Sequence, residues 1–408
     1  MSAGLESLGP TRRIHLPGGF AFSAVTAGIK ASGRPDLALI EAESGAAAAA
    51  VFTKNRVVAA PLEVGRAFLA QARGRVRAVI VNSGNANCAT GKAGRAACER
   101  VCREAANLLG TEAQQIFPSS TGIIGVPFPT EKVLAVLPAL LEARRASESG
   151  LRQFAAAIMT TDTRPKIAST EALVGKKAFS VAGVAKGSGM IHPQLATMLV
   201  YLLTDLAASP AELRSALRSV SGQTFNCISV DGDTSTNDTV LLLASGAGGG
   251  RLRDAEVRKK FAAALLEVCQ SLAMQIVADG EGVQHVIRLH IDQARDREEA
   301  LRIAKAIAHS LLVKTAFAGA DPNWGRILAA VGACGVPIRP EQIDVAIGSQ
   351  TVLRRGAVCA FKEKQAHHEL LQPSCDVRVV LRRGPSSLRF LTTDLTPEYV
   401  RINADYST

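Results

Sequence analysis

Apolar, β-branched runs alternate along this chain with longer segments whose apolar positions recur every third or fourth residue, and that alternation restricts it to folds that stack helices against sheets. The strand-like runs fall at residues 37–40, 75–81 (RVRAVIV), 178–184, 227–230, 239–244 and 377–381. Residues 93–109, 254–278 and 297–313 carry helical periodicity, the last with Ile303, Ile307 and Leu311 spaced by fours. Thr130, preceded by Pro129, is expected to N-cap a further helix that buries Val133, Leu134, Leu137, Leu140 and Leu141. Residues 24–61 read as short strands and turns punctuated by Gly28, Gly33 and Pro35, with the alanine-rich residues 46–51 closely packed. The class is mixed α and β, with helices and strands in separate layers.

A chain of 408 residues has room for two or three packed units. Hydrophobic residues at 47% and charged ones at 20% supply a full core, which excludes a mainly disordered polymer. The apolar stretch at 195–203 is broken by Thr197 and falls short of the roughly 18 residues of a bilayer-crossing helix, so no membrane partner is expected. The formal charge of +11 invites a nucleic-acid reading, because clustered Lys and Arg release counterions at phosphates. Basic residues occur instead as scattered pairs such as Arg144-Arg145 and Arg382-Arg383, and aromatics at 4% are too few to stack bases. A field that attracts small carboxylates accounts for the same charge. Eight cysteines without a C-x-x-C pair read as reduced thiols, and the first 20 residues lack the apolar core of a secretory signal, so the expected compartment is cytoplasmic.

Several motifs fail on spacing. GNANCATGKAG (residues 84–94) has its glycines too far apart for a P-loop, and Ala93 offers no hydroxyl to a magnesium ion. DGDTSTNDTVLL opens like a calcium loop at Asp231 and Asp233, yet has Thr236 where Gly is needed and Leu242 where Glu is needed. No G-x-S-x-G surrounds the serines of AKGSG or PSSTG, and the seven histidines include no H-E-x-x-H. No metal site is expected.

One stretch resists a purely structural reading. In KGSGMIHPQLATML (residues 186–199) a lysine, two glycines and a proline lead to Ala196-Thr197 and then an apolar run. Taken alone, Thr197 is an interior strand threonine. The alternative is an N-terminal nucleophile: attack of Thr197 Oγ on the Ala196 carbonyl, assisted by turn strain, would sever that bond and leave a free α-amine as base for the same hydroxyl.

The wider pattern favours the second reading. Together with NSGNANCATG (82–91), SSTGIIG (119–125), MTTDTRPK (159–166), VDGDTSTNDT (230–239), DGEG (279–282), DPNWGRI (321–327) and EYVRINADYST (398–408), the stretch resembles the self-cleaving ornithine acetyltransferase, or glutamate N-acetyltransferase (ArgJ), family of arginine biosynthesis, in order from about Gly18 to the last residue. The resemblance implies an α/β fold, an α+β layered sandwich of the type shared with the aminopeptidase DmpA, with a smaller C-terminal α/β subdomain. It implies an α chain of residues 1–196 and a β chain of residues 197–408, assembled as a heterotetramer of two α and two β. Thr197 would be the nucleophile, and Thr121 and Gly122 the oxyanion hole, each donor being worth on the order of 3 kcal/mol. Lys186 matches a substrate-contacting lysine suited to a carboxylate, and Glu281 a residue suited to the substrate's amino end. Thr160 is the expected substrate-contacting threonine with Thr163 as second candidate, spacing alone not separating them. Asn403 and Thr408 would fold back into the site.

This chain departs from the family pattern where Ala-Pro-Asn-Met more often precedes the cleaved pair; it has His192, Pro193, Gln194 and Leu195. His192 is expected to be a passive loop residue, with proton carrier as the lesser reading. The implied reaction moves acetyl from N-acetylornithine to Thr197 as an ester and then to glutamate, without metal or redox cofactor. Acetyl-CoA as a second donor stays open. The other readings are a self-processing aminopeptidase-like hydrolase, in which water discharges the acyl-enzyme, and a basic nucleic-acid binder.

Overall fold

The computed structural model describes residues 13–192 and 198–405. The first half of the chain runs β1 (Phe20–Val25), β2 (Leu37–Phe52), α1 (Ala60–Gln71), β3 (Arg75–Asn85), α2 (Gly91–Leu109), β4 (Ile116–Ile123), α3 (Thr130–Glu142), α4 (Glu148–Ala157), β5 (Lys166–Val174), β6 (Lys177–Lys186) and β7 (Leu199–Thr204). It continues through α5 (Pro210–Gln223), β8 (Thr239–Ala244), α6 (Ala255–Ala278), β9 (Val286–Ala294), α7 (Arg297–Ala308), α8 (Leu311–Ala318) and α9 (Trp324–Gly332). The last part is β10 (Asp344–Ile347), β11 (Gln350–Arg354), β12 (Ala357–Val358), α10 (Glu363–Leu370), β13 (Ser374–Val380), β14 (Ser386–Thr393) and α11 (Pro397–Asp405).

The strands form two sheets. The larger has the order β4-β3-β2-β8-β7-β6-β5 with β1 paired to β2, and the smaller the order β12-β11-β10-β13-β9-β14. At the centre of the larger sheet β7 and β8 run parallel and every one of their residues is buried. Side chains alternate across a strand, so Val200, Leu202 and Leu242 enter the core under α5 and α6, while Tyr201, Leu203, Leu241 and Leu243 enter the opposite core with Phe22 and Phe154. Burial on both faces is why these strands read as unbroken apolar runs.

Helix α6 lays Phe261, Leu265, Val268, Leu272 and Ile276 on that sheet. Its 24 residues, with a mean hydropathy of 1.6 over an 18-residue stretch, match a membrane-crossing helix by length and composition, a match that the sequence expectation above did not include. Twelve of its residues are nevertheless buried against the sheet. The smaller sheet has its own core, in which Ile287, Leu289 and Ile291 of β9 meet Ile303 and Ile307 of α7. This is the smaller C-terminal α/β unit that the family resemblance implied.

Four expectations change. Residues 24–61 are dominated by one 16-residue strand, because the alanines at 47–50 pair with β8 beyond an irregularity between Glu41 and Ala46. The segment 297–313 is two helices: Ser310 accepts a hydrogen bond from the Val313 amide and restarts the chain as α8, which leaves Leu311 67% exposed. Residues 227–230 make only an isolated bridge from Ile228 to Leu391, which joins the two units. Pro129 occupies the cap position of α3, Thr130 being its first helical residue. The bond 196–197 lies between β6 and β7, adjacent antiparallel strands paired as Lys186↔Leu199, so the expected chain boundary divides one sheet and not two folding units.

Helix α6 packs directly over Gly183, where an added Cβ would sit 2.7 Å from Leu272 and 2.9 Å from Leu202. Gly183→Ala should therefore overpack the core and cost about 1–3 kcal/mol, read as a lower denaturant midpoint with an unchanged slope.

Candidate active site

The ends of several elements of the large sheet open on one side, where α11 and the turn after α6 meet them. There a cavity of about 270 Å³ is lined by Thr121 and Gly122 of β4, Thr160, Lys186 of β6, Glu281 and Asn403 of α11. Six residues singled out in the sequence thus share one pocket.

Backbone constraints build its floor. β3 and β4 run parallel with Ser83↔Thr121 and Gly84↔Gly122 in register. Gly122 has φ 130°, and a Cβ there would lie 2.3 Å from the Gly84 carbonyl carbon, so only glycine fits. The asparagines of NSGNAN satisfy the loop's own backbone: Asn82 Nδ2 donates to Asn85 O at 2.8 Å, and Asn82 Oδ1 accepts from Ser120 Oγ at 2.5 Å. Asn237 Nδ2 then donates to both Ala86 O (2.7 Å) and Ser120 O (2.9 Å), tying that loop to β4.

The wall is a buried charge network. Lys186 Nζ donates to Thr160 Oγ1 at 2.9 Å and Thr121 Oγ1 at 3.3 Å, and lies 3.9 Å from Asp162 Oδ2. Asp162 accepts from Lys166 Nζ and from the Gly187 amide, each at 2.6 Å, and Lys166 is bridged on its other side to Asp279 at 2.6 Å. Burial alone would raise the Asp162 pKa, but Lys166 and Lys186 overcome it and hold the carboxyl well below the usual range. Burial lowers the Lys186 pKa, with Asp162 opposing the shift.

Thr163 lies outside this pocket. Its amide and hydroxyl both donate to Asp279, so of the two threonine candidates Thr160 is the one that faces the cavity. Glu281 Oε2 accepts from Asn403 Nδ2 at 2.9 Å. Gly282, at φ 68°, lets α11 approach so closely that a Cβ would meet the Tyr399 amide at 2.4 Å. Ala196, Thr197 and Thr408, with Pro193, Gln194 and Leu195, lie outside the described residues. His192 Nδ1 is 3.0 Å from His309 Nε2, and burial pushes the two imidazoles down to about 4 and about 3. Burial thus favours the neutral imidazole at both positions. Among the described residues no three His, Cys, Asp or Glu converge as a metal-ligand set.

With this geometry in place, comparison with known proteins is decisive. The ArgJ family model matches residues 21–408. The chain belongs to the ArgJ family. It is 41% identical over 406 residues to the arginine biosynthesis bifunctional protein ArgJ of Pseudomonas fluorescens, covering 98% of this chain and 99% of that one. The protein of the same name from Thermus thermophilus is 44% identical over 400 residues, covering 97% and 100%. Among solved structures, arginine biosynthesis bifunctional protein argJ from Bacillus halodurans is 39% identical over 50% of this chain and 98% of that chain, with a TM-score of 0.48.

Among the lining residues of this ArgJ-family pocket that sequence reading did not assign to a site are Asp231, Asp233, Ser235, Tyr399 and Asn237, the last also tying the loop to β4. The signal was present in DGDTSTND, which fails as a calcium loop but gathers acids, hydroxyls and an amide within eight residues.

Asp162→Asn should leave Lys186 without its only carboxylate within 4 Å among the described residues. Removing one partner of a buried pair costs about 3–5 kcal/mol, and the loss should appear in denaturant unfolding with substrate absent.

Proposed function

We propose that this chain transfers the acetyl group of N2-acetyl-L-ornithine to L-glutamate through an acetyl ester on Thr197. Membership in the ArgJ family supports the reaction, and the observation that carries it at the level of residues is Lys186: a buried ammonium at the end of β6, facing a small polar cavity. Donor and acceptor are both α-carboxylates, and a single fixed cation suits the group they share.

The nucleophile is first freed by cleavage between Ala196 and Thr197. Thr197 Oγ attacks the Ala196 carbonyl, the C–N bond breaks as the acyl group shifts to oxygen, and water hydrolyses the resulting ester. The products are an α chain of residues 1–196 and a β chain of residues 197–408 that begins with a free amine. Because β6 and β7 are paired neighbours in one sheet, the two pieces stay together after the cut, and two of each make the heterotetramer.

In the first half-reaction the α-amine of Thr197 takes the hydroxyl proton as Oγ attacks the acetyl carbonyl. Thr121 and Gly122 receive the oxyanion, and ornithine leaves as the amine, carrying the proton. Glutamate then attacks the ester with its own amine, reverses the proton path and leaves as N-acetylglutamate. Thr160 and Lys186 hold the α-carboxylate, while Glu281, Asn403 and Thr408 close the opposite side. The ester itself carries the acetyl group, so no metal or redox cofactor takes part, and the compartment is the cytoplasm. The relatives' printed name is bifunctional, which makes acetyl-CoA the second donor to assay.

A denaturing gel with intact mass of the purified protein should give two fragments meeting at 196/197. Thr197→Ala should remain one piece and transfer no acetyl, and release of free acetate without N-acetylglutamate would favour the hydrolase reading instead. Lys186→Met should raise KM for both substrates roughly tenfold or more, since a hydrogen bond to a charged group is worth about 1.5–3 kcal/mol. The ammonium is the binding form and burial lowers its pKa. In the unsubstituted enzyme KM should therefore rise on the alkaline side at a lower pH than an ordinary lysine would dictate, and this rise should vanish in Lys186→Met.

A further inference from the structure

The DGD turn at residues 231–233 presents a carboxylate to the pocket that neither the fold nor the acetyl-transfer steps use. Asp231 is spent on backbone: Oδ1 accepts from the amides of Ile191 (2.9 Å) and Asp233 (3.1 Å), and Oδ2 from the Met190 amide. Gly232, in the left-handed region at φ 89°, reverses the chain between the two aspartates. The turn is thus fixed at its base and carries Asp233 to the cavity as an exposed residue. Glu281, the third acid of this wall, is engaged by Asn403. The Asp233 carboxylate makes no hydrogen bond or ion pair among the described residues.

The negative potential of this wall registers on its neighbours. Burial and then Asp231, Glu281 and Asp233 push the Tyr399 phenol upward, and the Asp231 carboxyl is pushed up to about 6 by burial, with Asp233 and Glu281 adding to it. Lys186 belongs to a different group of residues, Thr121, Thr160 and Asp162. A ligand in the cavity is therefore offered a buried cation and, from a separate element, a free carboxylate.

We propose that Asp233 is a specificity-determining residue whose carboxylate pairs with the ammonium at the far end of the donor's side chain, selecting ornithine-type chains over uncharged chains of equal length. The assignment rests on the acetylornithine reading above. It has a built-in cost: the acceptor, glutamate, carries a carboxylate at its far end, and the same residue repels it.

The test is calorimetric binding of L-ornithine, L-norvaline and L-glutamate to the purified full-length protein. Norvaline has the ornithine carbon chain without the terminal amine. The unsubstituted protein should bind ornithine more tightly than norvaline. Asp233→Asn should weaken ornithine by about two- to fivefold, the range of an exposed charge pair, leave norvaline unchanged and tighten glutamate. Asp233→Lys should exceed the Asn variant in both directions. Equal affinities for ornithine and norvaline in the unsubstituted protein, or a parallel loss of both in Asp233→Asn, would overturn the assignment. Binding requires no acetyl transfer, so a preference for ornithine in a protein that transfers nothing would count against the proposed reaction and leave Asp233 standing.

Discussion

The carboxylate of Asp162, wholly buried and set between two lysines, is the constraint on which the site depends. An ammonium in a protein wall loses its hydration and, with no counter-charge, sheds its proton. Lys186 keeps a carboxylate 3.9 Å away, and that carboxylate is itself anchored by Lys166 and the Gly187 amide. The anchoring continues through Lys166 to Asp279 at the end of α6. One chain of alternating charges therefore ties the loop after α4, the end of β6 and the turn before Glu281, which are three borders of the cavity.

Why the cavity lies where it does follows from the sheet. β7 and β8 are buried on both faces, so their middles offer no polar surface, and function is displaced to strand ends and the turns beyond them. Glycine at 122 and 282 lets backbone segments approach more closely there than any side chain would allow. Asn82, Asn85 and Asn237 replace the ladder hydrogen bonds that such irregular turns forgo.

Much of the fold was legible in the sequence wherever one physical signal dominated. The run at 239–244 is apolar at nearly every position and is a strand with those limits. The segment at 297–313 misled because spacing by fours continues through Leu311, while the hydroxyl of Ser310 ends one helix and caps the next. The site was legible in another way. Thr121, Thr160, Lys186, Glu281 and Asn403 read in the sequence as ordinary turn or surface residues one at a time, and only the family pattern gathered them before the structure did. Asp233 and Tyr399 escaped because their significance is the company they keep across some 166 positions of chain, which no local motif encodes.

The central claim is that one threonine hydroxyl carries the acetyl group between two amines. Its most direct test is to mix the mature protein with N-acetylornithine in the absence of glutamate, quench with acid and weigh the fragments. The account predicts one added acetyl group on the fragment that begins at Thr197, removed when glutamate is supplied before the quench. Sustained conversion of acetylornithine and glutamate with that fragment unmodified at every time point would contradict it.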